Sequence, residues 1–222
     1  MSKVVLEWVT PGADACIARM ARVSNPGNQD NPNISGLLNY CMREGHVSPF
    51  EMANACLEIE TTRDIGRQIL RHRSFSFQEF SQRYASTDLL PEAPLRECRM
   101  QDMKNRQSSL ETDDMDTVAA WAQIQEDIQA HAYTSYISAL ALGIAKEQAR
   151  SILPEGLTNS RMYMQGSFRS WIFYLKQRLH ISTQKEHRLI AEEALVALRA
   201  VAPITMEAFF PEGEKHGTPY NS

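Results

Sequence analysis

The sequence is poor in cysteine and has no long apolar run, and each absence excludes a class of protein. Its cysteines are Cys16, Cys41, Cys56 and Cys98, which are scattered and form no C-x-x-C pair. We therefore expect reduced thiols, buried as small apolar side chains, in a cytoplasmic protein. No apolar stretch approaches the roughly 20 residues of a membrane span, and the first residues lack the basic and then apolar pattern of a signal peptide.

An excess of positive charge is also lacking. The formal net charge is -4 at pH 7 and the isoelectric point is about 5.9. The chain as a whole is therefore not suited to coat nucleic acid or an anionic membrane, so an anion site must be a local cluster of positive charge. The 222 residues, of which 43% are hydrophobic and 23% charged, are enough for one core. We expect a single domain over residues 1–222.

Apolar periodicity predicts a mostly helical protein with a small sheet near the start of the chain. The β-branched run Val4–Val9 is a predicted strand, and so is the segment in which Leu57 and Ile59 alternate with glutamates. Predicted helices cover residues 13–20, 34–41, 61–74, 116–143, 167–179 and 184–201, with a shorter helix before Pro154. The polar residues 96–114 are predicted to form a long surface loop or insertion. The fold class is therefore α+β, mostly helical with a small antiparallel or mixed sheet.

The most unusual segment covers residues 63–84. It contains His72 and the arginines Arg63, Arg67, Arg71, Arg73 and Arg83, against only Asp64 and Glu79. On a helix, Arg63, Arg67 and Arg71 would share a face. Such a cluster repels itself unless carboxylates elsewhere in the fold, or a bound phosphate, neutralise it. A solvated basic helix face with internal salt bridges is therefore one explanation of the segment.

The second half of this segment favours a ligand pocket. Serines alternate with aromatic side chains, namely Phe75, Phe77, Phe80 and Tyr84, within ten residues. A solvent-facing basic helix has no need of these rings. A planar, phosphorylated ligand needs apolar walls for its ring, hydroxyl groups for its polar edges and arginines for its phosphate.

Residues 71–84 read R-H-R-S-F-S-F-Q-E-F-S-Q-R-Y and fit the pattern R-H-R-x-x-S-x-x-x-x-S-x-R. This resembles the signature of the flavin-dependent thymidylate synthases, which are unrelated to the folate-only enzyme. The segments A-R-V-S at 21–24, G-H-V-S-P-F-E at 45–51 and A-R-S-I-L-P at 149–154 resemble further motifs of that family, as does the helix that ends at Arg178. The resemblance covers most of residues 15–210 and is weakest at 96–115.

The resemblance implies an enzyme of nucleotide biosynthesis, a methyltransferase that converts dUMP to dTMP. Methylenetetrahydrofolate would supply the one-carbon unit, FAD reduced by NADPH would supply the hydride, and tetrahydrofolate would be released. The resemblance also implies a homotetramer in which FAD binds across subunits. This accounts for the lack of any G-x-G-x-x-G or Walker-type glycine loop. The protein would orient the planar reactants and exclude water, since the difficult chemistry belongs to the cofactor.

The resemblance further assigns roles to individual residues. The positions implied for FAD are Ser24, His46, Ser48, Arg71, His72, Arg73, Glu79, Ser167, Arg169 and Phe173. Those implied for dUMP are Gln68, Arg71, Glu79, Phe80, Ser81, Gln82, Arg83, Arg150 and Arg178. Arg178 would be the catalytic residue, because a fixed cation beside the uracil ring stabilises its N3-deprotonated form. Ser81 and Arg83 would face the phosphate; Ser81 has no general base within the motif, which disfavours a role as nucleophile.

Several positions depart from the family, and two other functions stay open. Gln78, Ser167 and Phe173 stand where relatives commonly have asparagine. A nucleic-acid-binding module could use the arginine- and phenylalanine-rich segment, without a flavin. A flavin-binding relative could have lost or changed its nucleotide substrate. His180 and His187 match no zinc spacing, so we expect no metal and predict that they lie on a surface helix.

Overall fold

The helices and the small sheet that the periodicity predicts are present in the computed structural model, which describes residues 3–213. The helices are α1 (Ala13–Ala21), α2 (Ile34–Arg43), α3 (Arg63–Ile69), α4 (Met115–Ala141), α5 (Lys146–Ala149), α6 (Phe168–Arg178), α7 (Lys185–Val201) and α8 (Pro203–Phe209). The strands are β1 (Lys3–Val9), β2 (Asn54–Thr62), β3 (Ser76–Glu79), β4 (Arg99–Gln101), β5 (Ser109–Glu111) and β6 (Asn159–Ser167). The α+β prediction is confirmed. Among residues 3–213, no helix combines the length and apolarity needed to cross a membrane.

The sheets are more extensive than predicted. Four strands form one sheet in the order β1-β2-β6-β3. Strands β4 and β5 form an antiparallel hairpin in which Met100 lies opposite Leu110. This hairpin lies within residues 96–114, which were predicted to be a loop. Its strands have three residues each, too few to show an alternating pattern.

Helix α3 ends earlier than predicted, and this changes the arrangement of the arginines. Strand β2 continues to Thr62, so the helix starts at Arg63, and it ends at Ile69 instead of continuing to residue 74. The chain then turns, with the His72 amide donating to the Ile69 carbonyl at 3.0 Å, and enters β3 at Ser76. Sheet pairing at β3 therefore overrides the local helical pattern. The prediction that Arg71 shares a helix face with its two predecessors is wrong.

Residue contacts divide the chain into two units. The first unit contains residues 60–68 and 79–161, and the second contains the remaining residues of the range 3–213. In the first unit, α4 is capped by Asp114, whose side chain accepts from the Asp116 amide. The buried Gln125 of α4 hydrogen-bonds both the backbone N–H and the backbone carbonyl of Arg96. A single domain over residues 1–222 stays a prediction.

The core of the second unit is built on α6 and α7. Ser167 caps α6 by accepting from the Ser170 amide. Below the cap, the indole N–H of the fully buried Trp171 donates to the Ala55 carbonyl at 3.2 Å. Helix α7 presents an apolar stripe, namely Ile190, Ala191, Ala194, Leu195 and Leu198, as the periodicity predicts. His187 begins this stripe and is fully buried, so its prediction as a surface residue is wrong.

Gly166 makes room for the aromatic residue that directly precedes β3. A Cβ atom on Gly166 of β6 would lie 2.6 Å from the ring of Phe75, closer than side chains can approach. Phe75 is therefore seated directly on the strand backbone and packs edge-to-face on Trp171, with ring centroids 4.7 Å apart. This contact anchors the turn that bears residues 71–75.

Candidate active site

In the second unit, the turn after α3 and the last turn of α6 bring two predicted site residues together. Arg178 is the final residue of α6, and its Nε–H donates to Nε2 of His72 at 2.9 Å. Because Nε2 accepts, His72 must be neutral with its proton on Nδ1. Burial, reinforced by the positive charges of Arg178 and Arg71, lowers the pKa of His72 to about 4. The imidazole therefore accepts a hydrogen bond from Arg178 without neutralising its charge.

The predicted site arginines at the turn after α3 and at the end of α6 lack a carboxylate partner. Within residues 3–213, Arg71, Arg73 and Arg178 form no ion pair. Arg71 and Arg73 are exposed, whereas Arg178 is partly buried. Burial, together with the like charge of Arg71, lowers the pKa of Arg178 below its ordinary value. The unit thus holds a partly desolvated cation beside a second cation, an arrangement that an anion would stabilise.

Behind His72 lies a polar pair that the sequence analysis missed. The hydroxyl of Tyr174 and Nε2 of His187 are 3.2 Å apart, and both residues are almost wholly buried. Burial raises the pKa of Tyr174, against the opposing effect of the Arg178 charge. Burial, then the charge of Arg178, lowers the pKa of His187 to about 3. The one sequence signal for this pair was a histidine at the start of the apolar stripe of α7.

A second group of predicted residues meets at the start of α6. The hydroxyl of Ser167 donates to Oε2 of Glu51 at 2.5 Å, and Nη1 of Arg169 donates to Oε1 at 2.7 Å. These hydrogen bonds, that of Ser167 first, lower the pKa of Glu51. The guanidinium of Arg169 lies over the ring of Phe173, 5.5 Å from its centroid, and half of the Phe173 surface is exposed. An exposed ring beside a guanidinium is a suitable surface for stacking a planar ligand.

The remaining predicted residues of the second unit belong to other segments or are not bonded to these groups. Ser48 is exposed at the start of a short 3₁₀ helix. The ring of His46 packs edge-on against Tyr40 at 5.8 Å. Ser24 lines an open groove together with Asn25 and other asparagines that hydrogen-bond one another. None of these three forms a hydrogen bond, ion pair or ring contact with His72 or Arg178 within residues 3–213.

In the first unit, Glu79 is held by two neighbours. Its Oε1 accepts from the Ser160 hydroxyl at 2.8 Å and lies 3.9 Å from Nη1 of Arg63. Arg67 forms a shorter pair with Glu155, at 2.5 Å. Arg63 and Arg67 are therefore paired with carboxylates of the protein itself.

The end of the motif lies in a turn of the same unit. The Ser81 carbonyl accepts from the amides of Tyr84 and Ala85. Nη2 of Arg83 lies 3.4 Å from Oε2 of Glu147, and both side chains are largely exposed. The side chain of Gln82 is almost wholly buried, and its amide nitrogen has no hydrogen-bond partner within residues 3–213. This turn therefore presents an exposed serine, an exposed arginine and an unsatisfied buried donor.

Three further predicted residues belong to this unit. Phe80 follows β3 directly, and its amide donates to the Arg161 carbonyl at 2.8 Å. Gln68 lies on α3, half-buried. Arg150 caps α5 and forms no ion pair within the part of the chain that the structure describes. Glu147, which the sequence analysis did not single out, lies on α5 one turn before Arg150.

Comparisons with known proteins agree over most of the chain. The profile of the family described as thymidylate synthase complementing protein matches residues 5–204. The flavin-dependent thymidylate synthase of Synechocystis sp. is 51% identical over 189 residues, which cover 85% of this chain and 86% of that protein. The probable flavin-dependent thymidylate synthase of Paramecium bursaria Chlorella virus 1 is 50% identical over 188 residues, with coverage of 84% and 85%.

Solved structures are similar in fold as well. A UMP/dUMP methylase, PolB from Streptomyces cacaoi, bound with 5-Br dUMP, superposes with a TM-score of 0.78 at 30% identity over 94% of each chain. The same methylase bound with 5-Br UMP gives a TM-score of 0.81 at 27% identity, over 94% of this chain and 93% of that one.

Proposed function

This chain belongs to the family of flavin-dependent thymidylate synthases, and on that premise we propose that it methylates dUMP to dTMP. Methylenetetrahydrofolate is the proposed one-carbon donor, and NADPH is the proposed source of electrons for a bound FAD. The similarity to relatives named for this activity and to a dUMP-bound methylase supports the substrate. The folate and the nicotinamide nucleotide follow from the family resemblance alone.

The observation that favours this function most is the arginine at the end of α6. Arg178 is partly buried, its bonded partner is a neutral histidine, and no carboxylate within residues 3–213 pairs with it. A structural arginine at such a position normally pairs with an acid. A cation left in this state stabilises negative charge that develops on a bound ring. In the proposed reaction, Arg178 lies beside the uracil and favours its N3-deprotonated form, which raises the nucleophilicity of the ring carbon.

The residues of the second unit fit a flavin dinucleotide. The exposed guanidinium groups of Arg71 and Arg73 have no protein acid to neutralise them within residues 3–213, so they can hold phosphates with paired hydrogen bonds. Phe173, with Arg169 above it, offers a face for a planar ring. Ser167 retains a hydroxyl where relatives have an amide, and it is engaged with Glu51. Bound FAD would supply the hydride that completes the methyl group.

The turn at residues 81–83 is the proposed phosphate-binding segment for dUMP. Ser81 and Arg83 are exposed there, and an anion would replace the weak surface pairing of Arg83 with Glu147. A phosphate oxygen could also accept from the unsatisfied amide of Gln82. Within residues 3–213, the Ser81 hydroxyl forms no hydrogen bond to an imidazole or carboxylate, which supports binding as its role and not nucleophilic attack.

A homotetramer is part of the proposal, and helix α4 supports association between chains. Of its 27 residues only Gln125 and Tyr136 are buried, while apolar side chains are exposed along it: Trp121, Ile124, Ile128, Tyr133 and Ile137. Exposed apolar surface of this extent favours contact with another chain. Light scattering at micromolar concentration should give a mass four times the 25.2 kDa of one chain. A cytoplasmic location stays a prediction.

The ribonucleotide is a second candidate substrate, since the structurally similar methylase acts on UMP as well as dUMP. Nucleic acid is less favoured, because Arg63, Arg67 and Arg83 each pair with a glutamate and leave no continuous basic stripe.

The test is product formation by purified protein given dUMP, methylenetetrahydrofolate, NADPH and FAD, with each component omitted in turn. We expect dTMP that disappears without FAD, NADPH or folate. A parallel assay replaces dUMP with UMP. Methylation of UMP alone would reassign the substrate, and absence of any methylated product from folded, flavin-bound protein would refute the proposed reaction.

A further inference from the structure

Two buried polar side chains lie behind the candidate catalytic arginine and have no part in the proposed reaction. Tyr174 and His187 are 1% and 0% exposed, yet the core around them is apolar. A buried hydroxyl or imidazole is unfavourable unless it is hydrogen-bonded. The hydroxyl of Tyr174 and Nε2 of His187 meet at 3.2 Å, so each satisfies the other.

The pair connects to Arg178 through one imidazole. The rings of Tyr174 and His72 meet edge-to-face, with centroids 4.9 Å apart and planes at 77°. The ring of Tyr174 also meets those of Trp171 and Phe75, with centroids 5.8 and 6.0 Å apart. The tyrosine ring is therefore held by three aromatic neighbours. Its orientation in turn restricts the orientation of the His72 ring.

Helix geometry adds a second connection. Tyr174 precedes Arg178 by four residues on α6, so the two side chains lie on the same face one turn apart. His187 lies in the first turn of α7. The Tyr174–His187 hydrogen bond therefore fixes the α6 face from which Arg178 projects.

We propose that Tyr174 and His187 are positioning residues, which hold the imidazole of His72 with Nε2 facing Arg178 and so fix the plane of the guanidinium. The inference rests on the proposed role of Arg178 in dUMP methylation. The Nε–H of Arg178 is engaged by His72, so the terminal N–H groups are left for the ligand in a defined orientation. A guanidinium free to rotate would present them less often in the reactive geometry.

The protonation states agree with this arrangement. Burial first, and then the charge of Arg178, lower the pKa of both histidines, to about 4 for His72 and about 3 for His187. The positive charge of Arg178 acts on both histidines and that of Arg71 on His72, and Tyr174 is neutral because burial raises its pKa. At neutral pH each imidazole is therefore uncharged and can accept a hydrogen bond.

The test compares variants that break the hydrogen bond between Tyr174 and His187. Tyr174→Phe keeps the ring and removes the hydroxyl; His187→Leu removes the ring nitrogens, and His187→Gln keeps an amide in their place. Thr205→Val is the matched control, since Thr205 is also fully buried and its hydroxyl donates to Asp14 at 2.5 Å. We expect Tyr174→Phe and His187→Leu to lower kcat/KM for dUMP about fivefold, the worth of one hydrogen bond. His187→Gln should recover to within about twofold, and Thr205→Val should match the wild type while losing similar thermal stability.

The double variant tests whether Tyr174 and His187 act through the same hydrogen bond. If both residues act through one hydrogen bond, Tyr174→Phe combined with His187→Leu should lose no more activity than either change alone. Additive losses, or losses no greater than that of Thr205→Val, would overturn the proposal.

A readout independent of turnover separates this inference from the proposed function. Exchange of the imidazole C2 hydrogen, read for each histidine by mass spectrometry, reports the surroundings of His72 in FAD-bound protein. We expect its rate to change at least about twofold in Tyr174→Phe and to stay constant in Thr205→Val. A wild-type protein that makes no dTMP refutes the function alone, whereas an unchanged His72 rate in Tyr174→Phe refutes the positioning.

Discussion

The arginines of residues 63–84 differ in their partners although they belong to one short segment. Arg63 and Arg67, on α3, lie 3.9 and 2.5 Å from carboxylate oxygens of Glu79 and Glu155. Arg71 and Arg73, in the turn that follows, have no such partner within residues 3–213. The charges of Arg63 and Arg67 are therefore neutralised within the protein, whereas Arg71 and Arg73 are available to bind an anion. Clustering of arginines in a sequence therefore does not by itself distinguish structural cations from binding cations.

Helix α6 repeats this difference within eleven residues. Arg169 near its start is bonded to the ionised Glu51, whereas Arg178 at its end is bonded to the neutral His72. A carboxylate cancels the charge of its partner, and a neutral imidazole does not. The charge of Arg169 is thus cancelled within the fold, whereas that of Arg178 is not.

The largest effect should follow from removing Arg178. We expect Arg178→Ala to lower kcat for dTMP formation at least about 100-fold, since a fixed group that stabilises developing charge contributes about 3 kcal/mol. Flavin absorbance should stay with the protein through gel filtration. Arg188→Ala is the control, because Arg188 pairs with Glu192 and donates to the Ile181 carbonyl but is not one of the proposed site residues. Its activity should lie within about twofold of the wild type. An active Arg178→Ala would show that an unpaired arginine here has no catalytic role.

The second largest effect should be on FAD binding, and it compares an unpaired arginine of the segment with a paired one. Arg71→Ala should weaken FAD binding about 10- to 100-fold, because a charge-assisted hydrogen bond contributes about 1.5–3 kcal/mol. Arg67→Ala removes a cation already paired with Glu155, so FAD affinity should change less than about threefold. Fluorescence titration of apoprotein with FAD measures both. Equal losses of FAD affinity in the two variants would contradict the distinction between the paired and unpaired arginines.

A pH titration tests whether His72 and His187 are neutral in the folded protein. The pKa values of about 4 for His72 and about 3 for His187 lie below the ordinary 6.5, so between these values the unfolded chain binds protons that the folded chain does not. The free energy of unfolding should therefore fall as pH falls below 6.5, by at most about 1.4 kcal/mol per pH unit for each histidine.

Replacing one of these histidines should reduce that slope. His187→Leu should flatten the dependence between pH 6.5 and 5, measured by urea denaturation, while Thr205→Val should keep it. A slope in His187→Leu equal to that of the wild type would mean that His187 is not held neutral in the fold.

The smallest effects should be on dUMP binding and concern Arg83, whose pair with Glu147 is exposed and weak. Arg83→Ala should raise the dissociation constant of dUMP about tenfold with FAD affinity unchanged. Glu147→Gln removes its exposed partner and should strengthen dUMP binding by up to about fivefold, since such pairs contribute at most about 1 kcal/mol. Isothermal titration of the FAD-bound protein measures both. If Arg83→Ala released FAD and left dUMP affinity intact, the assignment of the motif to two ligands would be wrong.

Most of the helical fold could be predicted from the sequence, and the exceptions share a cause. Helices α6 and α7 have apolar stripes within their own residues, and Ser167 directly before α6 caps it, so local pattern sufficed for both. Strand β6 and the early end of α3 depend on pairing with distant strands, which no local window contains. His187 was misplaced because a polar residue at the start of an apolar stripe resembles the edge of a surface helix.

The sequence by itself determined the family, the motif at residues 71–84 and the set of arginines from which a site could be chosen. Only the tertiary structure decided which of them have protein partners: Glu155 lies 88 residues from Arg67, and His72 lies 106 residues from Arg178. Charge neutralisation depends on distance and burial in space, and neither follows from separation along the chain. The identity of each residue sets its chemistry, and the fold determines which charges are left for a ligand.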